Sequence, residues 1–329
     1  MRKRFISALY VAGALLFYHS AWGQEGKSVW QRFDPILTVF TNFHSGLAEA
    51  GDDRGFALER CYLGFRYAIT DDLSFRGAID IGQFPKEEDN QRFAFLKYAE
   101  IQWKLGRMKL NAGMISTTMF KVQEYFWDKR YLMKSFQDEY DFGSSADLGI
   151  SVAYDFDDRL SADFILANGE GYKKLQINNG LLYGLGVTYR PIDQLTLRVY
   201  GELNEGGEDG ERTSKVLALF GGYKNEHFSL AAEYARQFNY DHLQGRDVYG
   251  TSVYGSWYID KRWEIFARYD KLMSNHGWQA TEDGQRIVCG LQWKIGKYIR
   301  LAPNFRCTIP DVRSDATLWY GYLNCIFSL

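Results

Sequence analysis

Proline, cysteine and histidine are all scarce in this sequence: five, four and five in 329 residues. The cysteines, Cys61, Cys289, Cys307 and Cys325, are widely separated, with no C-x-x-C and no metal-ligand spacing. His19 falls in an N-terminal leader, His227 at a short turn, and His242 and His276 in polar stretches. That leaves His44-Ser45 as the only adjacent His–Ser pair. G-x-S-x-G, H-E-x-x-H and Walker-type motifs are absent. A formal net charge of −2 excludes bulk nucleic-acid binding. No apolar run of about 18 residues follows the leader, so no helical membrane span is expected.

Aromatic residues are abundant. Phe, Tyr and Trp make up 17% of the chain, beside 32 glycines, yet the mean hydropathy is −0.35. That composition suits a β-barrel whose wall is apolar outside and polar inside. It suits a soluble all-β protein too, so the pattern must decide. Met1-Arg2-Lys3-Arg4 is basic, Ala8 to Tyr18 is a short apolar core, and Ala21-Trp22-Gly23 supplies small residues before Gln24. Residues 1–23 therefore read as a secretory signal peptide, and 24–34 as a short periplasmic lead.

From Pro35 apolar and polar residues alternate. Leu37, Val39, Thr41 and Phe43 oppose Thr38, Asn42 and His44. Cys61, Leu63, Phe65 and Tyr67 oppose Arg60, Tyr62 and Arg66, and Leu73, Phe75, Ile79 and Ile81 oppose Arg76 and Asp80. A period of two marks a strand with one apolar and one wet face. The pattern returns near 93–105, 108–114, 146–156, 160–168, 181–190, 195–203 and 214–224. It continues near 227–238, 248–259, 262–271, 284–294, 298–306 and 317–329, giving about sixteen strands of roughly membrane-crossing length.

Connections around Asp71, Gly106, Asp157, Ile192, Asn225, Asp260 and Gly296 are tight. Longer polar gaps lie between them, at 44–54, 82–92, 115–145, 169–180, 204–213, 239–247, 272–283 and 307–316. Outer-membrane barrels alternate short periplasmic turns with long external loops in this way. A soluble sandwich has no reason to gather its long loops at one end. The expected fold is all-β, a transmembrane antiparallel barrel over 35–329. Trp103, Phe156, Tyr189, Tyr223, Phe228, Trp257, Trp263 and Trp293 crowd the tight-turn end as an interfacial girdle. The last strand, with Trp319, Leu323, Cys325, Phe327 and Leu329 on one face, is expected to close on the first. All four cysteines fall on the outward face and read as small lipid-facing residues rather than disulfides.

The inward positions carry both signs. Arg60, Arg66, Arg76, Lys104, Lys109, Arg198, Arg268, Arg286, Arg300 and Arg306 stand against Asp80, Glu100, Asp163, Glu202, Glu233, Glu264 and Asp270. Unpaired charge in a dry interior is costly, so a water-filled lumen is expected. A basic excess favours anions, unless the charges pair across strands. The longest gap, 115–145, carries Lys121, Lys129, Arg130 and Lys134 among Phe120, Tyr125, Phe126, Trp127, Tyr131 and Phe136. From Val122 to Phe136 the apolar residues fall on one side of a short helix. Packed on the wall, it would turn Lys129, Arg130 or Lys134 towards the lumen as a constriction; a flap above the pore is the alternative. Glu87, Glu88 and Asp89, or Glu205, Glu208 and Asp209, lack the ordered spacing of a calcium loop. No metal and no cofactor are expected.

Several segments carry a family likeness: Gly55-Phe56 with Arg60 to Phe65, Ala167-Asn168-Gly169-Glu170-Gly171-Tyr172, Ala267-Arg268-Tyr269-Asp270, and Leu301 to Arg306. On these the chain resembles the phosphate-selective porin O/P family, in its Bacteroidetes-type members. The resemblance implies a sixteen-stranded porin of a Gram-negative outer membrane, a homotrimer constricted by its third external loop, here 115–145. The expected function is passive diffusion of small hydrophilic solutes, leaning to anions such as phosphate. Arg60, Arg66, Arg76, Arg198 and Arg268 on the wall and Lys121, Lys129, Arg130 and Lys134 on the loop are expected to line the pore. The alternatives are a sugar or oligosaccharide channel with the loop aromatics as a stacking track, a barrel lipase using His44, and a soluble exported binding protein.

Overall fold

The computed structural model describes residues 29–82, 92–176, 178–208, 210–312 and 315–329. The expected signal peptide, the Glu87-Glu88-Asp89 cluster and Asp209 lie outside these residues. The alternating segments form strands β1 (Phe33–Leu47), β2 (Arg54–Ala68), β3 (Leu73–Gly82), β4 (Phe93–Leu105), β5 (Met108–Ser116) and β6 (Ala146–Asp155). There follow β7 (Leu160–Ala167), β8 (Leu182–Ile192), β9 (Leu195–Asn204), β10 (Ser214–Lys224) and β11 (Phe228–Phe238). The last are β12 (Val248–Tyr258), β13 (Trp263–Ser274), β14 (Gly284–Ile295), β15 (Ile299–Pro310) and β16 (Leu318–Ser328). β1 begins inside the segment read as a periplasmic lead. β5, β13 and β15 run past their expected ends, because the backbone ladder continues where the lipid-facing pattern fades.

Each strand pairs antiparallel with its neighbours in the chain, and β16 pairs β1 from Thr38↔Ser328 to Leu47↔Trp319. Closure leaves no open edge, which in hydrocarbon would strand a row of backbone groups at several kcal/mol each. No described helix is long and apolar enough to cross a membrane. The outward face is a continuous apolar surface: Leu185, Val187, Leu197, Val199, Leu217, Leu219 and Ile265 are all exposed. A surface of that size is stable against lipid and not against water. At the tight-turn end the girdle is built of cross-strand rings. Trp263 and Trp293 stack at 5.3 Å, and Tyr223, Phe228 and Trp257 stack in sequence across three strands. The four cysteines are free.

Three register shifts interrupt the period of two, one of them at the end of β8 between Tyr189 and Ile192 and two inside the wall. In β2 the register passes from Phe40↔Arg60 to Thr41↔Leu58, so Glu59 is an extra residue. In β4 it passes from Ala78↔Tyr98 to Ile79↔Leu96, and Lys97 is extra. Such a residue lets two neighbours face the same side. Glu59 and Arg60 both point inward, as do Lys97 and Tyr98.

The segment between β5 and β6 forms two short helices, α1 (Lys121–Trp127) and α2 (Phe136–Glu139). A single helix from Val122 to Phe136 is not formed. Asp128 adopts a left-handed conformation, its N–H returns to the Glu124 carbonyl, and the helix ends there. The break lets apolar residues on both pieces reach the curved wall. Phe126, Trp127, Tyr131 and Leu132 pack with Phe220, Tyr254 and Phe266, while Phe120, Phe136 and Phe142 pack with Tyr200, Val216 and Leu272. Gly222 and Gly250 make room, since a Cβ would meet the Phe126 ring at 2.6 Å or the Phe136 ring at 2.8 Å. The segment packs on the wall, as its apolar side suggests, and the β9–β15 side is dry because the segment brings its own apolar side chains to cover it.

Candidate functional site

Polar ties hold this segment to inward-facing groups. Lys129 Nζ lies 2.5 Å from Glu264 and donates to Ser256 Oγ at 2.8 Å. The Tyr131 hydroxyl donates to Gln292 at 2.6 Å and Gln137 Nε2 to Glu233 at 2.8 Å. Arg198 donates to the Thr118 carbonyl at 2.9 Å, Arg268 to the Lys134 carbonyl at 2.5 Å, and Asn324 to the Tyr131 carbonyl at 3.1 Å. Arg286 pairs with Glu139 at 2.6 Å, and Arg300 with Asp128 at 3.0 Å. Hydrogen bonds to charged groups are worth about 1.5–3 kcal/mol each, so several together make a fixed element rather than a mobile lid.

Beside it lie three cavities that share Arg130, and a fourth of about 350 Å³ between Tyr125–Phe126 and the tight-turn end of β8 to β10. One of about 320 Å³ lies between Tyr131–Lys134 and strands β1, β2 and β14 to β16. A second of about 320 Å³ lies on the tight-turn side, lined by Arg76, Lys97, Tyr98 and Lys121. The third, about 400 Å³, reaches the long-loop end, lined by Lys134, Tyr172 and Lys173. Arg130 lines all three, and Tyr62 lines the first two. The guanidinium of Arg130 is ion-paired with Asp138 and lies 3.8 Å from Glu124. Burial alone would lower its pKa, but Asp138, Tyr62 and Glu124 hold it well above the ordinary range.

The basic residues expected to line a pore separate into three sets. Arg198 and Arg268 face inward but are covered. Arg198 grips Asp163 at 2.6 and 3.0 Å, Arg268 grips Asp270 at 2.8 and 2.6 Å, and neither lines the three cavities. Lys129 is likewise turned to the wall. Arg60 and Arg76 reach cavities but carry counter-charges, Asp80 at 2.6 Å and Glu100 respectively. Arg66 sits towards the tight-turn end, 3.8 Å from Asp34. Lys121 and Lys134 line cavities and, among the described residues, have no carboxylate within 4.0 Å. The Lys121 side chain is open to the lumen, but the enclosing wall withholds bulk hydration. That burial pushes its pKa down to about 8, Lys109 and Arg76 adding to the shift and Glu100 opposing it. Among the described residues the wall arginines Arg60, Arg76, Arg198, Arg268 and Arg286 therefore each hold a carboxylate.

Strict alternation misses Lys97, whose parity counted from Trp103 points to lipid. The bulge returns it inward, 3.9 Å from Asp80 and 5.0 Å from the Tyr62 ring centre. A lysine at a lipid-facing position of a strand costs about 2–4 kcal/mol at the bilayer centre, and that conflict is the signal by which the bulge could have been read. The Asn168–Tyr172 motif forms a turn, with Gly169 and Gly171 at positive φ and the Gly169 N–H held by Asp147 at 2.7 Å. It delivers the Tyr172 hydroxyl to Asp80 at 2.6 Å. Its visible role is to complete the Arg60–Asp80–Lys97 group.

His44 and Ser45 form no hydrolytic pair. His44 faces Asn42 at 3.0 Å and Asp53 at 3.4 Å, whereas the Ser45 hydroxyl donates to the Gly46 carbonyl at 3.4 Å. Neighbours in a strand point to opposite faces, so the pair cannot act together. Among the described residues no group of three His, Cys, Asp or Glu could hold a metal ion. Phe126, Trp127, Tyr131 and Phe136 are buried against the wall, so they form no stacking track along the lumen.

A closed antiparallel barrel, charged inside and apolar outside, has the form of an outer-membrane β-barrel. No protein-family model matches the chain, and no curated protein matches it in sequence. The fold is shared with solved outer-membrane barrels. OmpF of Salmonella typhi in complex with daunomycin is 12% identical with a TM-score of 0.68, over 90% of this chain and 97% of that one. The outer membrane channel DcaP of Acinetobacter baumannii is 11% identical with a TM-score of 0.64, over 90% and 97%. The trimer form of OmpT, an outer membrane protein of Vibrio cholerae, is 14% identical with a TM-score of 0.57, over 90% and 99%.

Proposed function

We propose that the protein is an outer-membrane channel for passive diffusion of small hydrophilic solutes, with a preference for anions, and is not an enzyme. The carrying observation is the meeting of three cavities at Arg130 inside a closed barrel. Lys121, Lys134 and Arg306 line these cavities without an ion pair among the described residues, and stand against Glu59, Asp141 and Glu170, which also lack one. A cation with no fixed counter-charge raises the local concentration of anions in a narrow aqueous space. The apolar belt and ring girdle support a Gram-negative outer membrane, reached by way of the signal peptide at 1–23. The likeness to the phosphate-selective porin O/P family supports phosphate among the anions. The trimeric OmpT barrel supports a homotrimer.

The test is reconstitution in a planar bilayer, with the reversal potential read under a potassium chloride gradient. Discrete steps with a potential on the chloride side of zero are expected. Folded protein that gives no steps refutes the channel. Steps without anion preference refute the role of Lys121 and Lys134 and leave the channel standing.

A further inference from the structure

The cavity between Tyr131–Lys134 and strands β1, β2 and β14 to β16 has a charge balance unlike the rest of the lumen. Arg60, Arg130 and Arg286 at its edge each have a carboxylate partner. Arg306 and Lys134 have none among the described residues. The guanidinium of Arg306 is nevertheless fixed. Its Nε donates to Asn304 at 3.1 Å, its Nη2 to Asn324 at 2.9 Å, and the group lies 3.7 Å over the Tyr322 ring. Nη1 is left without a protein partner among the described residues. A rigid, planar, uncompensated guanidinium is pre-organised for a carboxylate, because little rotamer freedom is lost on binding.

Two carboxylates face the same space. Glu59, brought inward by the β2 bulge, is held among the described residues by Asn42 at 2.5 Å, and Glu139 spends one oxygen on Arg286. A bare inorganic anion would be repelled by both. A ligand with one carboxylate and several hydroxyls satisfies all of them, its acid on Arg306 and Lys134 and its O–H groups donating to Glu59 and Glu139.

We infer that this cavity is a binding subsite for a monosaccharide carboxylate, an acid of the uronic type. The inference rests on the channel reading above and names the solute for which that channel would be specific. Glucuronate, glucose and acetate, added separately to the reconstituted full chain, test it by their block of chloride current. Glucuronate is expected to half-block at a concentration about ten-fold below that of either control, the equivalent of one bidentate pair. Arg306→Gln should erase the difference. Arg306→Lys, which keeps the charge without the planar fork, should lose most of it. Conductance steps and the heat-dependent gel shift report folding of each variant. An anion-preferring channel in which glucuronate blocks no better than glucose or acetate overturns the subsite alone. Discrimination that survives both variants overturns it too. Loss of anion preference in the same membranes, read from the reversal potential, counts against the channel reading separately.

Discussion

Lys121 should make the selectivity of the channel titrate near neutral pH. Its ammonium has a pKa pushed down to about 8, so charge is lost as pH rises. About nine in ten copies are charged at pH 7 and about one in ten at pH 9. A unit charge about 6 Å from a permeating ion in water attracts an anion by about 0.7 kcal/mol and repels a cation by as much, or roughly ten-fold in the permeability ratio. The anion preference should therefore fall by about that factor between pH 7 and pH 9, read as a shift in reversal potential. Lys121→Arg, charged throughout, should be flat across the range at the pH 7 value of the wild type. Lys121→Met should be flat at the pH 9 value. A wild-type preference that does not change from pH 7 to pH 9 would refute the assignment, as would an equal fall in Lys121→Arg.

Two further outcomes follow from the ion pairs. Arg130→Ala removes the cation at the meeting point of the cavities and exposes Asp138 and Glu124, so the preference should turn towards cations while single-channel conductance rises. An unchanged reversal potential would show that Arg130 is not at the narrow point. Arg268→Met strands the buried Asp270 and should cost about 3–5 kcal/mol, seen as a lower temperature for loss of the folded gel band. Arg268→Met with Asp270→Leu should recover most of that loss. Equal destabilisation in the single and double variants would assign the effect to the Lys134 carbonyl tie instead.

The order and number of strands, the closing pair of β1 and β16 and the aromatic girdle were all legible in the amino-acid order. Each rests on a local rule: side chains alternate every two residues, and lipid on one side and water on the other sort them by polarity. The same rule failed at Glu59 and Lys97, where one extra residue shifts the parity and the cost of a charge in lipid is the only local hint. The basic residues of the candidate site were legible as inward, but not their state. Whether Arg198, Arg268 and Lys129 are covered, or Lys121, Lys134 and Arg306 left free, depends on partners far apart in the chain. Arg268 and the Lys134 carbonyl are 134 residues apart, and Arg306 and Asn324 lie on different strands. The chain order thus determined a barrel with a charged interior. Only the tertiary structure decided which of those charges still face water, because compensation is a matter of distances in space that no spacing along the chain records.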